Sequence, residues 1–69
     1  MLTADKPTPL YTSRELQRCA EREVTLRKQV YPNRVFTGRM TQQLADSEIR
    51  KMQAIADHFA ELAKQERLL

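Results

Sequence analysis

A heptad-like stripe in the C-terminal half of the chain constrains the fold most. Apolar residues recur there at alternating steps of four and three, the spacing of a coiled-coil seam. The seam consists of Ala45, Ile49, Met52, Ala56, Phe59 and Ala63. Ile55, Leu62 and Leu69 lie one position to the side, so the stripe is wider than a two-stranded seam needs. The pattern therefore predicts a helix that offers more apolar surface than its own chain covers, and that meets another protein.

The chain is short for a self-sufficient domain. A protein of 69 residues forms at most one domain, and chains of this size bury only about 60 % of their unfolded surface. A single cysteine excludes an internal disulfide, and one cysteine with one histidine cannot supply the four ligands of a structural zinc site. Oligomerisation is the remaining route to stability.

No segment carries a targeting signal. Residues 1–10 lack the apolar centre of a signal peptide, and no apolar run approaches the roughly 20 residues that span a bilayer. We expect a protein of the reducing cytoplasm, without a membrane partner.

The start of a first helix is marked twice. Residues 1–11 contain two prolines and no periodic pattern, which predicts an extended or flexible arm. Thr12 and Glu15 have the spacing of a capping box, and Tyr11 and Leu16 occupy the positions of a hydrophobic staple. The sequence therefore predicts a helix that begins near residue 13.

The connection to a second helix is predicted to be tight. Pro32 disfavours helical geometry at Tyr31, so the first helix is expected to end there. Pro32 then opens a separate short helical turn over residues 33–36, and Gly38 ends that turn in the left-handed region. Thr41 is the expected cap of the second helix.

The predicted fold class is all-α, an antiparallel helical hairpin over residues 12–69. The second helix runs from residue 42 to about residue 65 or beyond, because it contains neither proline nor glycine. The wide stripe predicts a homodimer with a four-helix arrangement. The residues assigned to the core and the dimer interface are Leu16, Ala20, Ile49, Met52, Ile55, Ala56, Phe59 and Leu62. Glu23 falls inside the apolar stripe of the first helix, where it either pairs with an arginine or reaches solvent.

Nothing in the sequence predicts an enzyme or a cofactor. Asp57 and His58 are adjacent and so point about 100° apart on a helix, which prevents them from acting as a dyad. Cys19 lies beside two arginines but also on the apolar stripe of the first helix, and we expect it to be a buried small hydrophobe. No phosphate-binding loop, metal-ligand spacing or nucleophile motif is present.

The positive charge is unevenly distributed. The chain has a net charge of +3, and residues 13–31 carry five basic and three acidic side chains. This distribution is either an ordinary solvated face or a basic patch for an acidic protein or nucleic acid. Nucleic acid is the weaker alternative, because a helix-turn-helix reader has at least three helices and three glutamates dilute the basic face.

The turn concentrates residue types that are enriched at protein–protein interfaces. The candidate partner-binding residues are Tyr31, Arg34, Val35, Phe36 and Arg39. The alternative is that the aromatic side chains close the end of the core and the arginines only solvate the tip.

One stretch of the sequence resembles a group of very small early proteins of Mu-like transposable phages. It comprises residues 23–35, then Gly38-Arg39-Met40-Thr41, Ala45, Glu48-Ile49 and Met52, which is roughly half of the chain. Length and pattern together are similar to the quorum-sensing anti-activator type found in a Pseudomonas phage.

The resemblance implies host takeover by protein–protein binding. Such a protein binds a LuxR-type quorum-sensing activator of the host and blocks its DNA binding. It also binds the ATPase that assembles type IV pili, which prevents superinfection. The alternatives from the residues alone are a small basic nucleic-acid-binding regulator and a coiled-coil adaptor with no inhibitory role.

Overall fold

The computed structural model describes residues 10–68, and within them two helices form an antiparallel hairpin. Helix α1 spans Ser13–Phe36 and helix α2 spans Gln42–Leu68. The antiparallel register is visible at both ends: Ser13 Oγ donates to Glu66 Oε2 at 2.7 Å, and the Arg27 guanidinium contacts Glu48. The all-α hairpin predicted from the sequence is confirmed. The predicted arm over residues 1–9, residue 69 and the side chain of residue 68 lie outside the described part.

The predicted capping box opens α1. The Glu15 backbone N–H donates to Thr12 Oγ1 at 3.0 Å, and the Thr12 backbone N–H donates to Glu15 Oε1 at 2.8 Å. Thr12 itself is in extended conformation, as an N-cap residue requires. Two backbone donors that lack partners inside the helix are therefore satisfied reciprocally.

The predicted end of the first helix at Tyr31 is wrong. Helix α1 continues through Pro32 to Phe36, so residues 33–36 are its last turn and not a separate element. Proline at this position removes one ladder hydrogen bond near the end of the helix. Tyr31 and Val35 are half-buried, and we attribute the helical path of the last turn to their packing. A local preference of the residue before proline is thus overridden by tertiary contact.

Gly38 terminates α1 in the left-handed region, as predicted. Its φ is +79°, and the N–H of Arg39 donates to the carbonyl of Arg34 at 2.8 Å. The N–H of Gly38 donates to the carbonyl of Val35 at 3.1 Å. These two bonds form a Schellman motif, which satisfies carbonyls that the helix end leaves without partners. Thr41 then caps α2, because the Leu44 N–H donates to Thr41 Oγ1 at 3.0 Å.

Small side chains form the contact between the helices. The buried apolar residues of the described part are Ala20, Val24, Ala45 and Ala56. Alanine lets two helix axes approach closely, but it removes little apolar surface from water. The hairpin is therefore well fitted but has a thin core.

Several residues that the sequence assigns to the core are less buried than the alanines between the two helices. Ile49, Met52, Phe59 and Leu62 are half-buried, whereas Leu16 is 36 % exposed and Ile55 is 45 % exposed. The prediction that Cys19 is buried is wrong: its side chain is exposed. These residues lie on the flank of their helices, and the neighbouring alanines occupy the contact line itself.

Candidate interaction surface at the hairpin turn

An arginine near the turn ties the two helices together. Arg27 Nε donates to Glu23 Oε2 at 2.9 Å, and Arg27 Nη1 donates to the backbone carbonyl of Glu48 at 2.9 Å. The hydrogen bond that Arg27 donates to Glu23 raises the pKa of Arg27, and the nearby charge of Glu48 acts in the same direction. Lys51 Nζ lies 3.3 Å from Glu48 Oε2 and extends the cluster. Glu23 lies within the apolar stripe of the first helix, and its carboxylate is paired there with Arg27.

The predicted turn residues separate into an inner and an outer layer. Tyr31 and Val35 are half-buried and close the end of the hairpin. Arg34, Phe36 and Arg39 are exposed, and Phe36 has the largest exposed fraction, 88 %. The expectation that the aromatic residues complete the core holds for Tyr31 only. The exposed Phe36 ring leaves a large apolar surface in water, which a partner could cover.

One guanidinium of the turn is held against an aromatic ring. The guanidinium carbon of Arg34 lies 5.7 Å from the centroid of the Tyr31 ring, a cation–π geometry. At an exposed site this contact contributes about 0.5–1 kcal/mol. It leaves the positive charge of Arg34 in place, because the ring carries no net charge.

The backbone of the turn is fixed by its own hydrogen bonds. Besides the Schellman motif, Thr37 Oγ1 donates to the carbonyl of Asn33 at 3.0 Å. The exposed side chains of Arg34 and Phe36 are thus presented by the last turn of α1, and that of Arg39 by a hydrogen-bonded loop. A surface ordered before binding loses less conformational entropy when a partner docks.

The arginines of the turn are not neutralised within the hairpin. In the described range, 10–68, the ion pairs join Arg27 to Glu23 and Glu48, and Lys51 to Glu48. Arg34 and Arg39 take part in none of these pairs. Their forked donors match carboxylates bidentately.

Further exposed apolar side chains, outside the predicted binding and core sets, lie before α1 and on both helices. They are Leu10, Tyr11, Leu26 and Leu44. Leu44 precedes Ile55 by 11 residues, which is three helical turns, and so lies on the same flank of α2. This spacing is the sequence signal from which the shared flank of the two residues could have been predicted.

The described residues contain no candidate metal site. No group of three or more histidine, cysteine, aspartate or glutamate side chains there is placed to hold a metal ion. Asp57 accepts a hydrogen bond from Gln53 at 3.0 Å, and the His58 ring packs edge-to-face on Phe59 at 5.3 Å between centroids.

Comparisons with known proteins return nothing. No protein-family model matches the chain, and neither the curated proteins nor the solved structures contain a match. Within residues 10–68, neither helix combines the length and the apolar composition needed to cross a bilayer.

Proposed function

We propose that this protein is a phage-encoded inhibitor that acts by binding host proteins through the turn of its hairpin. The observation that carries the proposal is the 88 % exposure of Phe36 at the end of α1, near Arg34 and Arg39, which take part in no ion pair among the described residues. An aromatic anchor flanked by guanidinium groups is the composition of interface hot spots.

The nature of the partners rests on the resemblance to small early proteins of Mu-like phages. The proposed first target is a LuxR-type quorum-sensing activator in the host cytoplasm, whose DNA binding would be blocked. The second is the type IV pilus assembly ATPase, whose inhibition would exclude superinfecting phages. The turn supports such an activity because it is compact enough to enter a groove on a larger protein and is basic at its tip.

We further propose that the working unit is a homodimer. Leu44, Ile55 and Leu62 share one flank of α2, and the first two are about half exposed in the single hairpin. Association through this flank would complete a four-helix arrangement and cover apolar surface that the thin alanine-lined contact leaves open. It would also present two turns, and so two copies of the proposed binding surface, to a dimeric target.

The test is a mobility-shift assay with a purified LuxR-type activator and its operator DNA. We expect the native chain to reduce the activator–DNA complex in a concentration-dependent way. We expect Arg34→Ala combined with Arg39→Ala to abolish this effect while the circular dichroism stays unchanged and the melting temperature falls by only a few degrees, through loss of the Arg34–Tyr31 contact. The matched control is Arg50→Ala with Lys64→Ala, which removes the same charge from exposed positions of α2. An undiminished activator–DNA complex at saturating native chain would remove the activator from the proposal.

The pilus ATPase is tested separately by co-purification with the same three chains. Retention of the ATPase by the native chain and the control, but not by the turn variant, is the expected result. Equal retention by all three would place ATPase binding outside the turn.

A further inference from the structure

The outer face of α1 carries two arginines between two shallow, open depressions, and it shares no residue with the turn surface described above. Arg18 and Arg22 line both depressions. The other residues of the first are Glu21, Thr25, Leu26 and Gln29. The other residues of the second are Tyr11, Glu15, Leu16 and Cys19. The arginine pair therefore stands at the centre of a continuous surface that points away from the partner helix.

Among residues 10–68, these arginines form no ion pair with a carboxylate. The ion pairs of the described residues include neither Arg18 nor Arg22. The nearest acidic side chains are engaged elsewhere: Glu15 belongs to the N-terminal cap, and Glu21 accepts a hydrogen bond from Gln17 at 2.9 Å. Two guanidinium groups four residues apart are thus free to bind an anion.

Each depression beside the arginines also contains exposed apolar side chains. Leu26 is 51 % exposed in one of them, and Tyr11 is 60 % exposed in the other, next to Leu16. Phosphate-binding faces combine basic and polar side chains, and exposed leucine side chains add little to the binding of a polyanion. Alternating guanidinium and apolar groups instead match a protein surface that has both carboxylates and apolar side chains.

We infer that this face of α1 is a docking site for an amphipathic acidic helix of another protein. The arginines lie one helical turn apart, about 6 Å along the axis, so carboxylates four residues apart on the partner would meet both of them. Apolar side chains on either side of those carboxylates would fill the two depressions. The inference does not depend on the turn site, because the two surfaces share no residue.

The probe is a synthetic end-blocked helical peptide of about 20 residues. It carries glutamates four residues apart on one face, with leucines on either side of them. A second peptide replaces those glutamates by lysine. Binding of each peptide is measured by fluorescence anisotropy to the native chain, to Arg18→Glu with Arg22→Glu, and to a control with the same charge change, Arg50→Glu with Lys64→Glu. All exchanged positions are exposed, and circular dichroism checks that each chain is folded.

The expected result is a charge swap. The acidic peptide binds the native chain and the control, and its affinity falls at least about tenfold for the Arg18/Arg22 variant. The lysine peptide shows the reverse preference. The turn variant, Arg34→Ala with Arg39→Ala, binds the acidic peptide as the native chain does.

Three outcomes overturn the inference. One is no binding of the acidic peptide to the native chain, and another is an equal loss in the Arg18/Arg22 variant and the control. The third is binding of generic duplex DNA that falls steeply with salt and is lost in the Arg18/Arg22 variant, while the peptide is ignored. That result would make the face a nucleic-acid surface.

Discussion

At the scale of single residues, the fold depends on a few backbone positions. Gly38 is the one described residue with positive φ, and a Cβ added there would meet no atom within 4 Å. The position therefore needs glycine for its backbone conformation and not for lack of space. Thr12 and Thr41 cap the two helices through their hydroxyl groups.

Gly38→Ala should lower the free energy of unfolding by about 1–2 kcal/mol, because an L-residue with a Cβ is strained in the left-handed region. The loss of stability should be smaller for Gly38→Asn, because asparagine tolerates the left-handed region better than alanine does and no neighbouring atom would have to move. Urea denaturation of the three chains measures the difference. Equal stability of Gly38→Ala and the native chain would show that the turn adopts another conformation in solution.

Thr12→Ala should lower the free energy of unfolding by about 1 kcal/mol through loss of the N-cap. Thr25→Ala is the matched control, because Thr25 Oγ1 only bonds back to the carbonyl of Glu21 at 3.2 Å within the helix. Alanine at this helical position should be neutral or stabilising. Thermal melts followed by circular dichroism compare them. A melting temperature that does not change in Thr12→Ala would mean that α1 begins elsewhere.

At the scale of the elements, the sequence predicts what local chemistry decides. The capping box, the left-handed Gly38, the Thr41 cap and the length of α2 follow from residue types at fixed spacings. The end of α1 was mispredicted because packing of Tyr31 and Val35 depends on α2, which no local rule at Pro32 includes. The exposure of Cys19 was mispredicted because apolar periodicity does not reveal which part of a broad stripe meets the neighbouring helix.

The arginine that links the elements gives a prediction at the same scale. Arg27→Met removes the charge but keeps an apolar stem, and it should lower the free energy of unfolding by about 1.5–3 kcal/mol, the contribution of hydrogen bonds made by a charged group. The side chain is only 22 % exposed, so water does not replace these bonds fully. Lys51→Met is the control: its side chain is 69 % exposed, and its loss should change stability by less than about 0.5 kcal/mol. Chemical denaturation measures both, and equal effects would show that the Arg27 contacts do not hold the helices together.

At the scale of the whole molecule, a thin core and exposed apolar flanks belong together. The largest buried apolar side chain of the described part is Val24, and the other buried ones are alanines. Full burial of a valine or larger apolar side chain contributes about 1.5–3 kcal/mol. A single hairpin therefore gains little stability from burial of its apolar side chains. The bulkier residues remain half-buried or exposed, where a second copy can cover them.

Ile55→Glu should therefore convert a dimer into monomers. In a lone hairpin this position is 45 % exposed and a charge there would be tolerated, whereas at the proposed interface it would be buried without a partner. Sedimentation equilibrium over a range of concentrations measures the association state. Ala54→Glu, at an exposed neighbouring position on another face of α2, should leave the dimer intact. A native chain that is a folded monomer at micromolar concentration would contradict the dimer.

The central claim is that the turn binds a host protein. It is tested most directly by calorimetric titration of a purified LuxR-type activator with the native chain, with Phe36→Ser, and with Arg34→Ala combined with Arg39→Ala. All three exchanged side chains are exposed, so each variant should stay folded, with a melting temperature within a few degrees of the native one. We predict that the native chain binds the activator. Phe36→Ser should weaken this binding by at least about 2 kcal/mol, as the loss of a hot-spot residue does. The arginine variant should bind no more tightly than Phe36→Ser. Undiminished binding by both variants, with unchanged melting temperatures, would contradict the claim.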